Sequence, residues 1–149
     1  MAKLINTVLC ESIEFNEESQ SLNLIGLIHG ITLKQKDKSD ITSAESEVAE
    51  SEEWSFELLT TWVRDDEAVE EEPNIRFKFL DPDGKRLLDD LDVQISLKQE
   101  IIVARITKIT NKLNLSRAGT HHIIIMQRKD GHQRFKTMAD VPLNIDFCV

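Results

Sequence analysis

Five aspartates crowd one short stretch of the chain, and they are the first residues whose type and spacing could support chemistry. They are Asp81, Asp83, Asp89, Asp90 and Asp92. Ca²⁺ prefers several carboxylate oxygens at about 2.3–2.6 Å, and loops can supply them. An EF-hand loop, however, places its glycine at position six, whereas Gly84 is fourth in Asp-Pro-Asp-Gly. The composition of this segment is that of a tight turn, so a solvated hairpin is favoured over a calcium site.

Histidine and cysteine offer two further chemistries, zinc binding and nucleophilic catalysis. His121, His122 and His132 could surround zinc together with Cys10 or Cys148. Adjacent histidines on a strand point to opposite faces, so they do not readily share a metal. Neither cysteine belongs to a C-x-x-C motif, and both lie in apolar segments where a free cysteine packs as a small hydrophobe. We therefore predict no metal site, no cofactor and no catalytic residue, and we do not expect an enzyme.

The tryptophans could form a sugar-stacking platform, but their spacing favours a core. Trp54 and Trp62 share one parity with Phe56 and Leu58 on a strand predicted for Trp54–Val63. Because residues of one parity lie on one face of a strand, this predicts a single apolar face that packs inward.

The elements that must position these residues are organised around the stretch 74–97. Apolar and polar residues alternate on both sides of the Asp81–Gly84 turn, which predicts two half-buried antiparallel strands. The apolar positions are Ile75, Phe77 and Phe79 before the turn, and Leu91, Val93, Ile95 and Leu97 after it. Asp81 is expected to cap the turn, and Gly84 is expected to take a left-handed conformation that closes a three-residue loop.

The remaining strand-like segments predict an all-β fold. They cover residues 4–15, 22–31, 54–63, 100–115, 122–126, 135–139 and 141–149. In the first, the alternation slips near residues 9–11, which predicts either a bulge or a strand covered on both sides, and the continuous apolar run 22–31 predicts a strand buried on both faces. Eight or nine short strands with turn signals between them predict one domain over 1–149, an antiparallel β-sandwich that is immunoglobulin-like or C2-like. Acidic loops are expected at 34–53, after the second strand, and at 64–73.

Composition and charge limit the cellular locations and the classes of partner that we expect for this protein. No apolar run approaches the roughly 18 residues needed to span a membrane, and no secretory signal is recognisable. We therefore expect a cytoplasmic protein with reduced cysteines and no membrane association. A net charge of −9 disfavours general nucleic-acid binding, because that binding depends on neutralising phosphates.

The charge is divided unequally along the chain. Residues 1–74 hold 5 Lys/Arg against 18 Asp/Glu, and residues 75–149 hold 13 against 9. Such a division is compatible with a protein partner or self-association through surfaces of opposite sign, and the alternative is a monomer whose charges keep it soluble. The candidate basic surface comprises Lys98, Arg105, Lys108, Lys112, Arg117, Arg128, Lys129, Arg134 and Lys136. The acidic counterpart comprises Asp65, Asp66, Glu67, Glu70, Glu71 and Glu72.

Two passages resemble known families. Residues 113–125, with Gly119 in a turn and His121 two residues later, resemble the end of an immunoglobulin-type sandwich, although the chain has no Tyr for a tyrosine corner. Residues 8–13 (VLCESI) and 22–26 (LNLIG), together with the DPDG hairpin, are similar to an uncharacterised family of small prokaryotic and phage-borne proteins. That resemblance implies a compact β-sandwich with no known activity.

These observations favour a non-enzymatic binding or accessory module. Two alternatives stay open. One is a small-ligand-binding or hydrolytic enzyme with a site built from loops, and the other is a structural subunit of a phage-like assembly. A deep pocket with converging polar groups would favour the enzyme, and a flat exposed sheet edge would favour the subunit.

Overall fold

Every regular element in the described part of the chain is a β-strand. The computed structural model describes residues 1–28, 30–34, 49–50, 54–111, 114–115, 118–129, 131 and 134–148. The strands are β1 (Lys3–Asn16), β2 (Ser21–Leu27), β3 (Gly30–Lys34), β4 (Ala49–Glu50), β5 (Trp54–Val63), β6 (Asn74–Leu80), β7 (Leu91–Gln94), β8 (Ile102–Asn111), β9 (Asn114–Leu115), β10 (Gly119–Arg128) and β11 (Lys136–Cys148).

Nine of these strands form two sheets. The four-stranded sheet has the order β2-β1-β5-β8 and is antiparallel throughout. The five-stranded sheet has the order β3-β11-β10-β6-β7, in which only the β3–β11 pair is parallel. The short strands β4 and β9 pair with each other. The predicted all-β sandwich with eight or nine strands is thus confirmed.

The core fills the space between the two sheets. Strands β1 and β5 contribute Leu9, Leu58 and Trp62 from one side, while β6 and β10 contribute Phe77 and Ile125 from the other. Trp62 is fully buried, and its indole nitrogen donates to Thr60 Oγ1 at 3.0 Å, which satisfies its one polar atom. The core assignment of Trp62 is therefore correct, whereas the side chain of Trp54 lies outside the described residues.

The central hairpin forms at the expected place, but its second arm is interrupted. Ile75, Phe77 and Phe79 are all buried, as the alternation predicts. Leu87 still pairs with Phe79 through its backbone, whereas β7 pairs with β6 two residues out of that register, at Phe77↔Leu91. Leu91 keeps the predicted face, since it is paired with Phe77, but it is 36% exposed at the edge strand of the sheet.

In the segment after β7, the residues predicted to be buried are buried. Ile95 and Leu97 are buried, although neither belongs to β7. Their backbone nitrogens donate to Pro73 O and Glu71 O at 3.1 and 2.8 Å. The loop 64–73 is therefore tied to this segment, and the Arg64 guanidinium adds hydrogen bonds to the carbonyls of Leu97, Lys98 and Glu67.

The prediction for residues 22–31 is wrong in two respects. The run divides into β2 and β3, which belong to different sheets. Strand β2 is mostly exposed rather than buried on both faces. The glycines mark the change of path, since Gly26 has φ +66° and Gly30 lies so close to Asn144 O that an added Cβ would approach it to 3.1 Å.

Three smaller predictions can also be compared. The bulge in β1 lies between Leu4 and Asn6, not near residues 9–11. The segments 135–139 and 141–149 are joined in one strand, β11, whose register with β10 shifts once. The ambiguous segment 100–115 is extended at β8 and β9, as expected. Most of the acidic loop predicted at 34–53 lies outside the described residues.

A buried amide links the two sheets at one end. Gln127 of β10 is fully buried, and its Oε1 accepts a hydrogen bond from Ala2 N at 3.0 Å. Its Nε2 donates to Ala2 O at 2.8 Å, so the side chain pairs with Ala2 as a neighbouring strand would. This contact fixes the start of β1 against the five-stranded sheet.

The Phe77 side chain should carry much of the stability of the sandwich. Phe77→Ala is expected to lower the free energy of unfolding by about 3–5 kcal/mol, because it empties a fully buried volume. Leu91→Ala, at the position paired with Phe77, is the matched control and should cost about 1 kcal/mol or less, since Leu91 is 36% exposed. Urea denaturation measures both, and equal losses would contradict the difference in burial between Phe77 and Leu91.

Candidate functional site

The aspartate cluster is divided between a turn and an ion-pair network. Asp81 is buried, and its Oδ1 accepts hydrogen bonds from the backbone nitrogens of Asp83 and Lys85 at 2.9 and 2.8 Å. Gly84 has φ +83° and donates its backbone N–H to Asp81 O at 2.9 Å. The turn chemistry is therefore as predicted, and it occupies the Asp81 carboxylate.

The second part of the cluster binds arginine. Arg76 donates to both oxygens of Asp92, at 2.7 and 2.8 Å, and its Nε lies 3.9 Å from Asp90. Arg76 and Arg128 also lie 4.2 and 4.8 Å from the ring centroid of Phe135. Hydrogen bonding from Arg76 lowers the pKa of Asp92, and the same bond raises the pKa of Arg76.

The described histidine and cysteine residues of the candidate zinc site do not share one face: His121 and His122 lie on opposite faces of the five-stranded sheet, and Cys10 lies in the four-stranded sheet. His121 is buried between the sheets, whereas His122 lies on the opposite face and contacts Asp140 Oδ1 at 2.7 Å through Nδ1. His132 lies outside the described residues, as does the side chain of Cys148. Within the part of the chain that the structure describes, no group of three or more His, Cys, Asp or Glu side chains could hold a metal ion.

The Cys10 thiol is shielded. Cys10 is fully buried between Leu27 and Glu57, its partners on the neighbouring strands, and it is a free cysteine. Burial raises the pKa of the Cys10 thiol, and the negative charge of Glu57 raises it further. The thiolate is the nucleophilic form, so this environment opposes reaction at Cys10.

A cavity of about 310 Å³ lies beside the acidic loop. It is lined by Met1, Asp65, Asp66, Val69, Glu70, Glu71, Glu72, Pro73, Gln127 and Lys129. Three of its carboxylates already have cationic partners: Asp65 with Lys3 at 3.1 Å, Glu71 with the Met1 amino group at 3.3 Å, and Glu72 with Lys98 at 3.3 Å. Hydrogen bonding from Lys3 lowers the pKa of Asp65. These carboxylates hold the loop in place and are not arranged as an acid–base pair.

The candidate basic residues are distributed over separate regions. Lys98 and Lys129 lie beside the acidic loop, and Arg105 and Lys108 are exposed on β8. Arg128 contacts Phe135, and Arg134 and Lys136 are exposed near the start of β11. Lys112 and Arg117 lie outside the described residues. Among the described residues of this set, Arg105 and Lys108 belong to the four-stranded sheet, whereas Arg128 and Lys136 belong to the five-stranded sheet.

Among the described residues, the largest group of exposed apolar side chains lies on the β1–β2 hairpin. Strand β5 pairs with β1 only as far as Cys10, so the remainder of the hairpin extends beyond that pairing. Phe15, Leu24, Ile25 and Leu27 are 54%, 39%, 42% and 59% exposed. We call these four residues the hairpin patch. Leu24 and Ile25 are consecutive, so the patch includes both faces of the hairpin.

A second exposed strip lies on β8, at the opposite edge of the same sheet. Ile102 and Ile106 are 57% and 36% exposed, and the neighbouring Arg105 and Lys108 side chains are also exposed. We call these four residues the β8 strip. Strand β8 pairs with β5 on one side, and within the described residues no strand pairs with its other side. Both edges of the four-stranded sheet therefore combine apolar side chains with an open backbone.

Sequence reasoning missed the hairpin patch because it assigned residues 22–31 to the interior. A usable signal was the polar tip at 16–21, since a strand adjoining a hairpin tip can project beyond the core. The β8 strip includes two candidate basic residues, Arg105 and Lys108, but its isoleucines were not recognised as exposed. Only the strand order places Ile102 and Ile106 at an edge.

Comparisons with known proteins give no assignment. No protein-family model matches the sequence, and a search of curated proteins finds no significant match. The resemblance to an uncharacterised prokaryotic and phage-borne family stays a prediction. In the described part of the chain, no helix is long and apolar enough to cross a membrane.

The Cys10 thiol should react slowly in the native protein. In a Cys148→Ser background, a thiol reagent at neutral pH is expected to modify Cys10 on the timescale of unfolding, and rapidly once urea is added, because burial limits access and disfavours the thiolate. Labelling followed by mass spectrometry measures both rates. Fast modification of the folded protein would show that Cys10 is accessible.

The Asp92–Arg76 pair should contribute stability that depends on pH. Because the pKa of Asp92 is lowered by folding, its contribution is complete above the unfolded value of about 3.9 and is lost as the pH falls through the folded value. Asp92→Asn should therefore lower Tm at neutral pH, and the difference from the parent should shrink in strong acid. The exposed neighbour Asp89→Asn is the control, and a constant difference at every pH would contradict the assignment.

Proposed function

We propose that this protein is a non-enzymatic, protein-binding β-sandwich module, and that the hairpin patch is its contact surface. The observation that carries the proposal is the exposure of Phe15, Leu24, Ile25 and Leu27 on one projecting hairpin. A group of exposed apolar side chains is a mark of protein interaction sites in soluble domains, and here Ile25 and Leu27 lie on one face of the hairpin and Phe15 and Leu24 on the other. Aromatic and aliphatic side chains at such a site supply the burial that stabilises a complex.

The chemistry of the partner follows from the charges around the patch. The hairpin carries the exposed residues Glu11, Glu14, Glu17 and Glu18, and residues 4–33 contain no Lys or Arg. The outer edge of β2 also offers unpaired backbone groups, since no described strand lies beyond it. A partner that adds an extended strand with apolar and basic side chains would match all three features.

The enzyme alternative has less support from the geometry. The cavity beside the acidic loop has the volume of a small-ligand site, but three of its carboxylates pair with cations of this chain. The structural-subunit alternative is favoured by the two open edges of the four-stranded sheet. An immunoglobulin-like topology and a cytoplasmic location complete the proposal, the latter supported by the free thiol of Cys10.

In-cell photo-cross-linking tests this function. A photoreactive residue in place of Ile25 should give a discrete protein adduct, and the same residue in place of Lys78, on the outer face of the five-stranded sheet, should not. The cross-linked partner peptide should be a strand that carries Lys or Arg beside apolar residues. Adding Leu27→Asp should reduce the adduct about tenfold, because it places a charge in the apolar contact.

Three results would contradict the proposal. Equal adducts from both positions would mean nonspecific contact. A partner peptide without basic residues would exclude the proposed partner chemistry. No adduct from position 25 would show that the patch does not bind protein in the cell.

A further inference from the structure

The two edges of the four-stranded sheet run in opposite directions. Each neighbouring pair in the order β2-β1-β5-β8 is antiparallel, so an even number of strands leaves β2 and β8 antiparallel to one another. If a second copy is placed beside the first by translation, its β8 meets β2 in the antiparallel sense that the rest of the sheet already has. Continuing the sheet into another copy therefore requires no change in pairing type.

The same two edges are complementary in charge. Residues 4–33, which include β2, contain four glutamates and no Lys or Arg, whereas Ile102–Asn111 contains Arg105 and Lys108 and no acidic residue. Both edges also expose large apolar side chains, Ile25 and Leu27 on β2 and Ile102 and Ile106 on β8. The β8 strip thus has the chemistry that the hairpin patch requires of a partner.

We propose that the partner of the hairpin patch is a second copy of this chain, whose β8 adds to the free edge of β2. This inference rests on the proposed function, because it identifies the partner of the same surface. The contact is heterologous, since a different edge of each copy takes part, so a pair of copies keeps one free β2 edge and one free β8 edge to which further copies can add.

One register satisfies both the apolar and the charged side chains. Pairing Ile25 with Ile106 of the next copy places Leu27 opposite Ala104, with all four on the outer face of the sheet. In this register Arg105 of the next copy lies opposite Gly26.

Gly26 is the position over which Glu11 extends, because a Cβ added there would lie 2.7 Å from Glu11 Cδ. Arg105 of the next copy therefore meets a carboxylate rather than an apolar side chain. On the outer face, the same register places Lys108 of the next copy opposite Asn23, whose partner on β1 is Glu14.

The assembly that results is a twisted row of copies. Neighbouring strands in a sheet rotate by roughly 20–25°, so each added copy turns relative to the last, and the row either closes into a ring or continues as a filament. The net charge of −9 on each copy opposes this association, so the contact should be reversible and depend on concentration.

A mixing experiment with edge variants tests the inference. Ile25→Asp blocks the β2 edge, Ile106→Asp blocks the β8 edge, and Val69→Asp changes an exposed apolar residue of the acidic loop by the same charge. In sedimentation velocity over a concentration series, the parent and Val69→Asp should form a distribution of oligomers. Each edge variant alone should be monomeric, with an apparent dissociation constant raised about tenfold or more.

The equimolar mixture of the two edge variants should give a dimer and nothing larger. Each mixed pair retains one intact β2 edge and one intact β8 edge, and these can meet only once. Circular dichroism and Tm of the variants confirm that each remains folded. A symmetric contact between like edges would not be restored by mixing.

The outcomes separate this inference from the proposed function. If the parent is monomeric at every concentration, or if the mixture contains no dimer, the second copy is not the partner. A cross-link from position 25 to a different protein would then leave the binding function standing. A cross-link from position 25 to a β8 peptide of the same chain supports both.

Discussion

The packing of the two sheets against each other is the constraint on which the rest of this structure depends. Phe77 and Ile125 in one sheet and Leu58 and Trp62 in the other are fully or almost fully excluded from water. Burial of this kind is the main favourable contribution to folding, and it requires that every strand present its apolar parity inward. Where the two sheets pack together, the inner face of the five-stranded sheet is covered by the four-stranded sheet. The β1–β2 hairpin projects beyond β5, and its apolar side chains therefore remain exposed.

How much the sequence could predict depended on periodicity. Strand β5 was predicted with its observed bounds, and the alternation of β6 correctly predicted the burial of Ile75, Phe77 and Phe79. The run 22–31 has no period of two, and a continuous apolar run is compatible both with a doubly buried strand and with two strands that leave one sheet for another. The positive φ of Gly26 and the close approach of Gly30 to Asn144 decide between them, and both are tertiary facts.

The candidate site was less predictable than the fold for a related reason. Charge counts placed acidic residues in one half of the chain and basic residues in the other. Which of these residues share a surface, however, depends on the order of the strands in each sheet. Arg105 and Lys108 become an edge feature only because β8 is the last strand of its sheet, and Lys98 is paired with Glu72 of the acidic loop. The turn at Asp81–Gly84 was predictable in detail, because its geometry follows from local backbone chemistry.

Charge also bears on which edges can meet. Open edge strands are a general hazard, because their free backbone groups accept any other strand. If two β2 edges paired, Glu11 and Glu14 of both copies would be brought together, and two β8 edges would bring together Arg105 and Lys108. Like charges opposite one another destabilise a strand pair, whereas the mixed pair places acid beside base. In the proposed association, the same charges that oppose the pairing of like edges therefore favour the pairing of β2 with β8.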